Sequence, residues 1–188
     1  MNDPIKCYGK AKAVGYIERS KIKSHQEMID VWKVYMPYAN NIGTELNDDN
    51  QNTFVGEPNS VCTETFIVAG ATLNLNQNSA TNLSMYLRTK FARLLLSLAK
   101  CSQHGTSKTY CYVPMQDFSS QSDIDWSKSV SDIDQQLYRK YGLSEEEMEF
   151  VESMIKPMEW NWKSDLYVSI GNLLQKETKM LFDEKELN

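Results

Sequence analysis

Cys62, Thr63 and Glu64 stand side by side at the entrance of an apolar run, VCTETFIVAG (61–70). A nucleophilic cysteine needs a base, usually histidine, and a thiol shifted toward thiolate. The chain has two histidines, His25 and His104, and neither lies in a context that builds such a pair. The residues favour a small buried thiol within a scaffold. Cys101, His104 and Cys111 form a C-x2-H-x6-C string that lacks the fourth ligand of a structural zinc site. Asp165 with Glu177-Thr178-Lys179 loosely fits the carboxylate pattern that holds Mg²⁺ in nucleases. That segment has helical periodicity, however, whereas such carboxylates must converge from strand ends. A methyltransferase would need a glycine-rich turn and a loop that clamps a flipped adenine. Met36-Pro37-Tyr38 lacks the polar residue and second proline of that loop, and Asp3-Pro4-Ile5 lacks its aromatic. No catalysis by this chain alone, no metal and no cofactor of its own are therefore expected.

The charges are distributed unevenly. Over the 188 residues the net charge is −5, but residues 1–110 carry 12 Lys+Arg against 9 Asp+Glu, and residues 111–188 carry 8 against 16. A polyanionic partner should prefer the first part. Within 3–24 stand Lys6, Lys10, Lys12, Arg19, Lys21 and Lys23, opposed only by Asp3 and Glu18. No apolar run approaches the length of a bilayer span, and the N-terminus lacks an apolar leader core. Four cysteines without a framework pattern (Cys7, Cys62, Cys101, Cys111) fit reduced thiols. A cytoplasmic protein without membrane contact is expected.

The elements that would carry these residues follow from periodicity. Glycines 9 and 15 make loops and a short strand likelier than a helix over 3–24. WKVYMPYA (32–39) reads as a strand stopped by Pro37, 40–52 as a polar surface loop, and 54–60 as a turn. The run 63–73 reads as a strand buried on both faces. Leu83, Leu87, Phe91, Leu94 and Leu98 recur at helical spacing and predict one helix over 79–100, capped by Asn78 or Ser79. Lys90 falls near that apolar stripe, so either its stem snorkels to the rim or its ammonium is held toward a phosphate. KTYCYV (108–113) looks like another strand. Helices are predicted from about 130 to Gly142, from a capping box at Ser144 to before Pro157, and over 164–182. The pair over 131–156 has a helix-turn-helix look, but Glu145, Glu146, Glu147, Glu149 and Glu152 would be repelled between phosphate rows. The fold class is α+β: a small mixed or antiparallel sheet packed on a long amphipathic helix, then a helical C-terminal part.

In order, GYIERSKI, WKVYMPYANNIG, FVGEPNSVCTETFIV, MYLRTKFARLLLSLAK, YCYVPMQDFS and LYRKYGLSEEEMEFVESMIKPM give a chain that resembles the C-terminal target-recognition region of bacterial adenine-specific DNA methyltransferases from restriction–modification systems, including those with fused or partnered restriction activity. The resemblance spans roughly residues 5–158, with 159–188 as a helical extension. It implies a module that binds double-stranded DNA and reads its sequence. Flipping and methylation of the adenine, with S-adenosylmethionine, would fall to a catalytic domain or subunit that this chain does not contain. On that footing Lys10, Lys12, Arg19, Lys21 and Lys23 would contact phosphates, with Lys90 and Arg93 as supports. Asn40, Asn41, Gln103 and Gln116 carry amides suited to adenine edges, and His104 lies in the same region as Gln103. The alternatives are a protein-interaction domain whose C-terminal helix is a docking arm, and a nuclease centred near Asp165. One local prediction stands apart from function: Ser144→Ala should cost about 1 kcal/mol in chemical denaturation.

Overall fold

The computed structural model describes residues 2–39, 51–99 and 108–158. The fold is α+β: two three-stranded sheets and four helices among the described residues. The predicted helix over 164–182, and with it Asp165, Glu177 and Lys179, lies outside them, as do Asn40, Asn41, Cys101, Gln103 and His104.

The first sheet takes strands β1 (Pro4–Tyr8), β2 (Val14–Glu18) and β5 (Ser60–Cys62) in the order β2-β1-β5. β1 and β2 form an antiparallel ladder from Pro4↔Glu18 to Tyr8↔Val14, and β5 joins β1 in parallel. The second sheet takes β3 (Lys33–Pro37), β4 (Phe54–Gly56) and β6 (Phe66–Ala69) in the order β4-β3-β6, all antiparallel. Residues 54–60, read as a turn, thus contain β4 and the first residue of β5, joined by residues 57–59. Residues 63–65 carry the chain back to the second sheet. Thr63 donates its N–H to Tyr8 O (2.9 Å), Thr65 O accepts from Tyr38 N–H (3.0 Å), and the two threonine hydroxyls bond each other (2.8 Å). The threonines of the Cys62–Glu64 corner therefore tie the sheets together.

Tyr8, Tyr35 and Phe54 fill the space beside both sheets, with ring centroids 5.1–5.5 Å apart. Tilted and edge-on contacts of this kind stabilise beyond simple area burial. Gly56 is needed there, because a Cβ would sit 2.5 Å from the Tyr35 ring. Lys33 is buried at the start of β3, its ammonium donating to the carbonyls of Ile29 (3.0 Å), Val31 (3.1 Å) and Glu57 (3.3 Å). Burial lowers its pKa to about 8. The strand predicted over 63–73 is shorter, four residues that are all half-buried, because Gly70 turns the chain with φ +77. The segment 108–113 forms turns rather than a strand.

The helix expected over 79–100 is two helices, α1 (Gln77–Tyr86) and α2 (Lys90–Ala99). α1 starts from Asn76, whose side chain accepts from Ser79 N–H while the Ser79 hydroxyl accepts from Asn76 N–H. It tightens at its end, where Arg88 N–H and Thr89 N–H reach back three residues to Met85 O and Tyr86 O. The new start of α2 is capped from two sides. Thr89 Oγ1 accepts from Ala92 N–H (3.2 Å). Asp134, from α3 (Val130–Tyr141), accepts from Lys90 N–H and Phe91 N–H, both at 2.9 Å. A period of 3.6 runs through the break because Leu83, Leu87 and Phe91 all enter the same core, beside Val34, Met36, Trp126, Ile133, Leu137, Tyr138 and Val151. α3 ends at Gly142 (φ +67), with Leu143 N–H on Tyr138 O. α4 (Glu145–Met154) opens on the expected capping box: Glu147 N–H donates to Ser144 Oγ (3.3 Å), and Ser144 N–H to Glu147 Oε2 (2.8 Å).

Asp134 is 2% exposed. Burial raises its carboxyl to about 6, against the two backbone N–H bonds and Arg93, which favour the charged form; Glu152 adds to the rise. An unfolded aspartate titrates near ~3.9. The folded state therefore takes this proton first, and the group's stabilising contribution is complete below ~4 and lost as the pH rises through about 6. Urea midpoints followed between pH 4 and 7 should show that decline, and Asp134→Asn should flatten it. Asp134→Ala, which orphans two N–H groups, should cost about 1–3 kcal/mol.

Candidate nucleic-acid interface

The β1–β2 ladder separates the N-terminal cations into two groups. Lys10 and Lys12 lie in the short turn Lys10–Lys12 beyond the Tyr8↔Val14 end. Arg19, Lys21 and Lys23 follow the Pro4↔Glu18 end. Five paired residues at 3.3–3.4 Å per residue put roughly 13 Å of strand between the groups. Glu18 and Gly9 provide extended backbone at the two turns, so neither group is part of a long helix.

The cations differ sharply in what they already hold. Arg19 is committed to a clip: Nε to Asp3 (3.0 Å), Nη1 and Nη2 to Asp30 (2.7 and 2.9 Å), Nη2 also to Asn59 (2.8 Å). The bidentate pair holds the Asp30 carboxyl below its usual range. Lys6 pairs with Glu57 at 2.7 Å, and the same carboxylate accepts from Tyr8 Oη (2.8 Å). Lys12 holds its ammonium 5.1 Å from the Phe54 ring centroid. Lys10, Lys21 and Lys23 are exposed, and their ammonium groups make no ion pair or hydrogen bond among the described residues.

The proposed supports of the DNA face sit elsewhere and are engaged. Lys90 pairs with Glu152 of α4, and Tyr138 donates its hydroxyl to the other oxygen of that carboxylate (3.0 Å). Its stem crosses the core edge as a snorkelling lysine would, but the ammonium meets a carboxylate. Arg93 is 1% exposed and donates to Arg88 O (3.2 Å). Arg88, also buried, bonds Thr53 through Nε (3.0 Å) and Nη2. Gln116 is buried as well, donating to Pro114 O (3.1 Å) and Tyr141 Oη (2.7 Å) and accepting from Lys140 (2.9 Å). Arg93, expected as a support of the DNA face, is thus turned into the fold.

The cysteine corner has no nucleophile chemistry on display. Cys62 Sγ donates to Phe66 O (3.8 Å), and burial pushes the thiol up to about 11. Thiolate is scarce there at neutral pH. His25 occupies a left-handed backbone position and lies 3.5 Å from Glu27. Among the described residues no group of histidine, cysteine and carboxylate side chains is arranged to hold a metal ion, and no helix is long and apolar enough to cross a membrane. No family model, curated protein or solved structure matches the chain.

The contrast between engaged and bare cations is measurable in stability. Arg93→Ala should lower the unfolding free energy by about 2 kcal/mol, as loss of buried charge-assisted bonds does. Lys21→Ala should leave it within about 0.5 kcal/mol of the parent. Parallel thermal melts read the difference.

Proposed function

We propose that this chain is a sequence-specific DNA-recognition module of an adenine-specific restriction–modification methyltransferase, with S-adenosylmethionine and the methyl transfer supplied by a separate catalytic domain or subunit. The observation that carries the reading is the sorting of cations. Lys6, Arg19, Lys90 and Lys140 each meet a carboxylate within the fold, whereas Lys10, Lys21 and Lys23 are left bare. Duplex DNA carries about one charge per 1.7 Å of axis, so two lysine groups roughly 13 Å apart reach separate phosphates. Such contacts orient a protein on the duplex without reading it. Readout would come from the amides of Asn40, Asn41 and Gln103, with His104 next in sequence, on the segments that follow strand β3 and helix α2 in the chain. The resemblance over residues 5–158 supplies the class of enzyme.

A second reading, a protein-interaction domain, is favoured by α4. Its outer side carries Glu145, Glu146 and Glu149 with no ion-pair partner among the described residues, beside Phe150 at 54% exposure. That face repels phosphate and suits a protein surface, such as a catalytic domain.

Arg19 is already engaged with Asp3, Asp30 and Asn59, so the test reverses only the bare lysines. The parent should bind duplex with dissociation constants on the order of 10⁻⁴–10⁻⁶ M at physiological salt. Lys10→Glu with Lys21→Glu and Lys23→Glu should weaken binding and reduce the log–log salt slope by about one unit per lysine. Fluorescence anisotropy across a salt titration measures both. Equal affinity and slope in parent and triple variant would remove this face from the reading.

A further inference from the structure

The β1–β2 ladder carries one more feature between its two lysine groups. Tyr16, at the centre of β2, is 64% exposed, and its hydroxyl makes no hydrogen bond among the described residues. The fold's core tyrosines differ: Tyr8, Tyr35, Tyr86 and Tyr138 are all buried and hydrogen-bonded through their hydroxyls. β2 is an edge strand, so among the described residues no neighbouring strand covers its outer side. Gly15 beside it leaves open space where a side chain would stand. Across the ladder Tyr16 is directly opposite Lys6 and shares its face. A lone exposed tyrosine is ordinary. A tyrosine centred between bare lysines, about 7 Å of strand from either end of the ladder, matches the chemistry of a base-stacking platform. Such platforms join a flat ring for the base with cations for the flanking phosphates.

We propose that Tyr16 stacks an unpaired base of single-stranded DNA, with Lys10 on one side and Lys21 and Lys23 on the other holding the adjacent phosphates. The inference rests on the DNA reading above and adds that the face which meets duplex phosphates also takes a single strand. Every base has a π-face, so the contact is tolerant of sequence, and the ring itself neutralises no phosphate. The lysine contacts carry the salt dependence.

The experiment uses the full chain with a fluorescein-labelled oligo-dT strand, a duplex of equal length and an oligo-U strand, read by anisotropy over a salt series. Tyr16→Ala should weaken oligo-dT binding about 5- to 100-fold, the range of one lost base stack. The salt slope should be unchanged, and Tyr16→Phe, which keeps the ring, should bind as the parent does. Far-UV circular dichroism should be identical, because the side chain lies outside the core. If Tyr16→Ala binds oligo-dT like the parent while the triple lysine variant loses both strand and duplex, the stacking proposal is overturned and the DNA reading stands. Binding of neither strand nor duplex by the parent overturns both. Tighter binding of oligo-U than oligo-dT overturns the assignment to DNA.

Discussion

A single carboxylate sets the arrangement of the helical half. Asp134 reaches from α3 to the first turn of α2 and accepts the two amide protons that Thr89 leaves unserved. Without that contact the first turn of α2 would present orphan donors inside the protein, where each costs more than a hydrogen bond returns. The bond therefore permits the chain to stop α1 at Tyr86 and restart four residues later. The restart aims Phe91 and Arg93 inward and brings Lys90 to Glu152, whose other oxygen takes the Tyr138 hydroxyl. Three helices are registered around one buried acid. Burial, with Glu152 adding to it, raises that acid's pKa against the two amide bonds and Arg93, which favour the charged form.

The strand half is organised differently. It relies on aromatic packing and on polar groups that cross between sheets: Lys33 under three carbonyls, Glu57 beneath Lys6 and Tyr8, and the Arg19 clip joining Asp3, Asp30 and Asn59. These contacts engage Lys6, Arg19 and Lys33, three of the seven cations in residues 2–39. What remains bare is small in number and confined to the ends of one ladder, so the exposed positive character of this half is more focused than the sequence count suggests.

Several elements were legible in the sequence because their signals are local. Ser144 with Glu147, Gly142 after a basic turn, and the β-branched and aromatic run stopped by Pro37 each depend on residues within one turn or strand, and the structure follows them. The break at 87–89 was hidden, since its cause is an aspartate some 45 positions away and the apolar stripe continues unbroken through it. The same blindness applied to the site. A lysine or arginine in a basic stretch looks equally available whether or not a distant carboxylate has claimed it, so Arg19 and Lys21 were indistinguishable before folding. Arg93 and Gln116 looked like surface polar residues because nothing local marks a buried guanidinium or amide. Tyr16 carried no signal at all: its meaning comes from being the exposed member of a ladder whose ends hold the unclaimed lysines.

The passages between sheets at 57–59 and 63–65 also bear on folding during synthesis. Residues 54–69 deliver three of the six strands, one after another, to different sheets. Until they leave the ribosome, β1–β2 is a lone hairpin and β3 has no neighbour on either side, and an isolated hairpin is at best marginal in water. Among residues 2–39, therefore, neither the β1–β2 hairpin nor β3 has its further strand partners before residues 54–69 are made. Both sheets gain their last strands within residues 54–69, and α1, which packs on β3, follows in the chain.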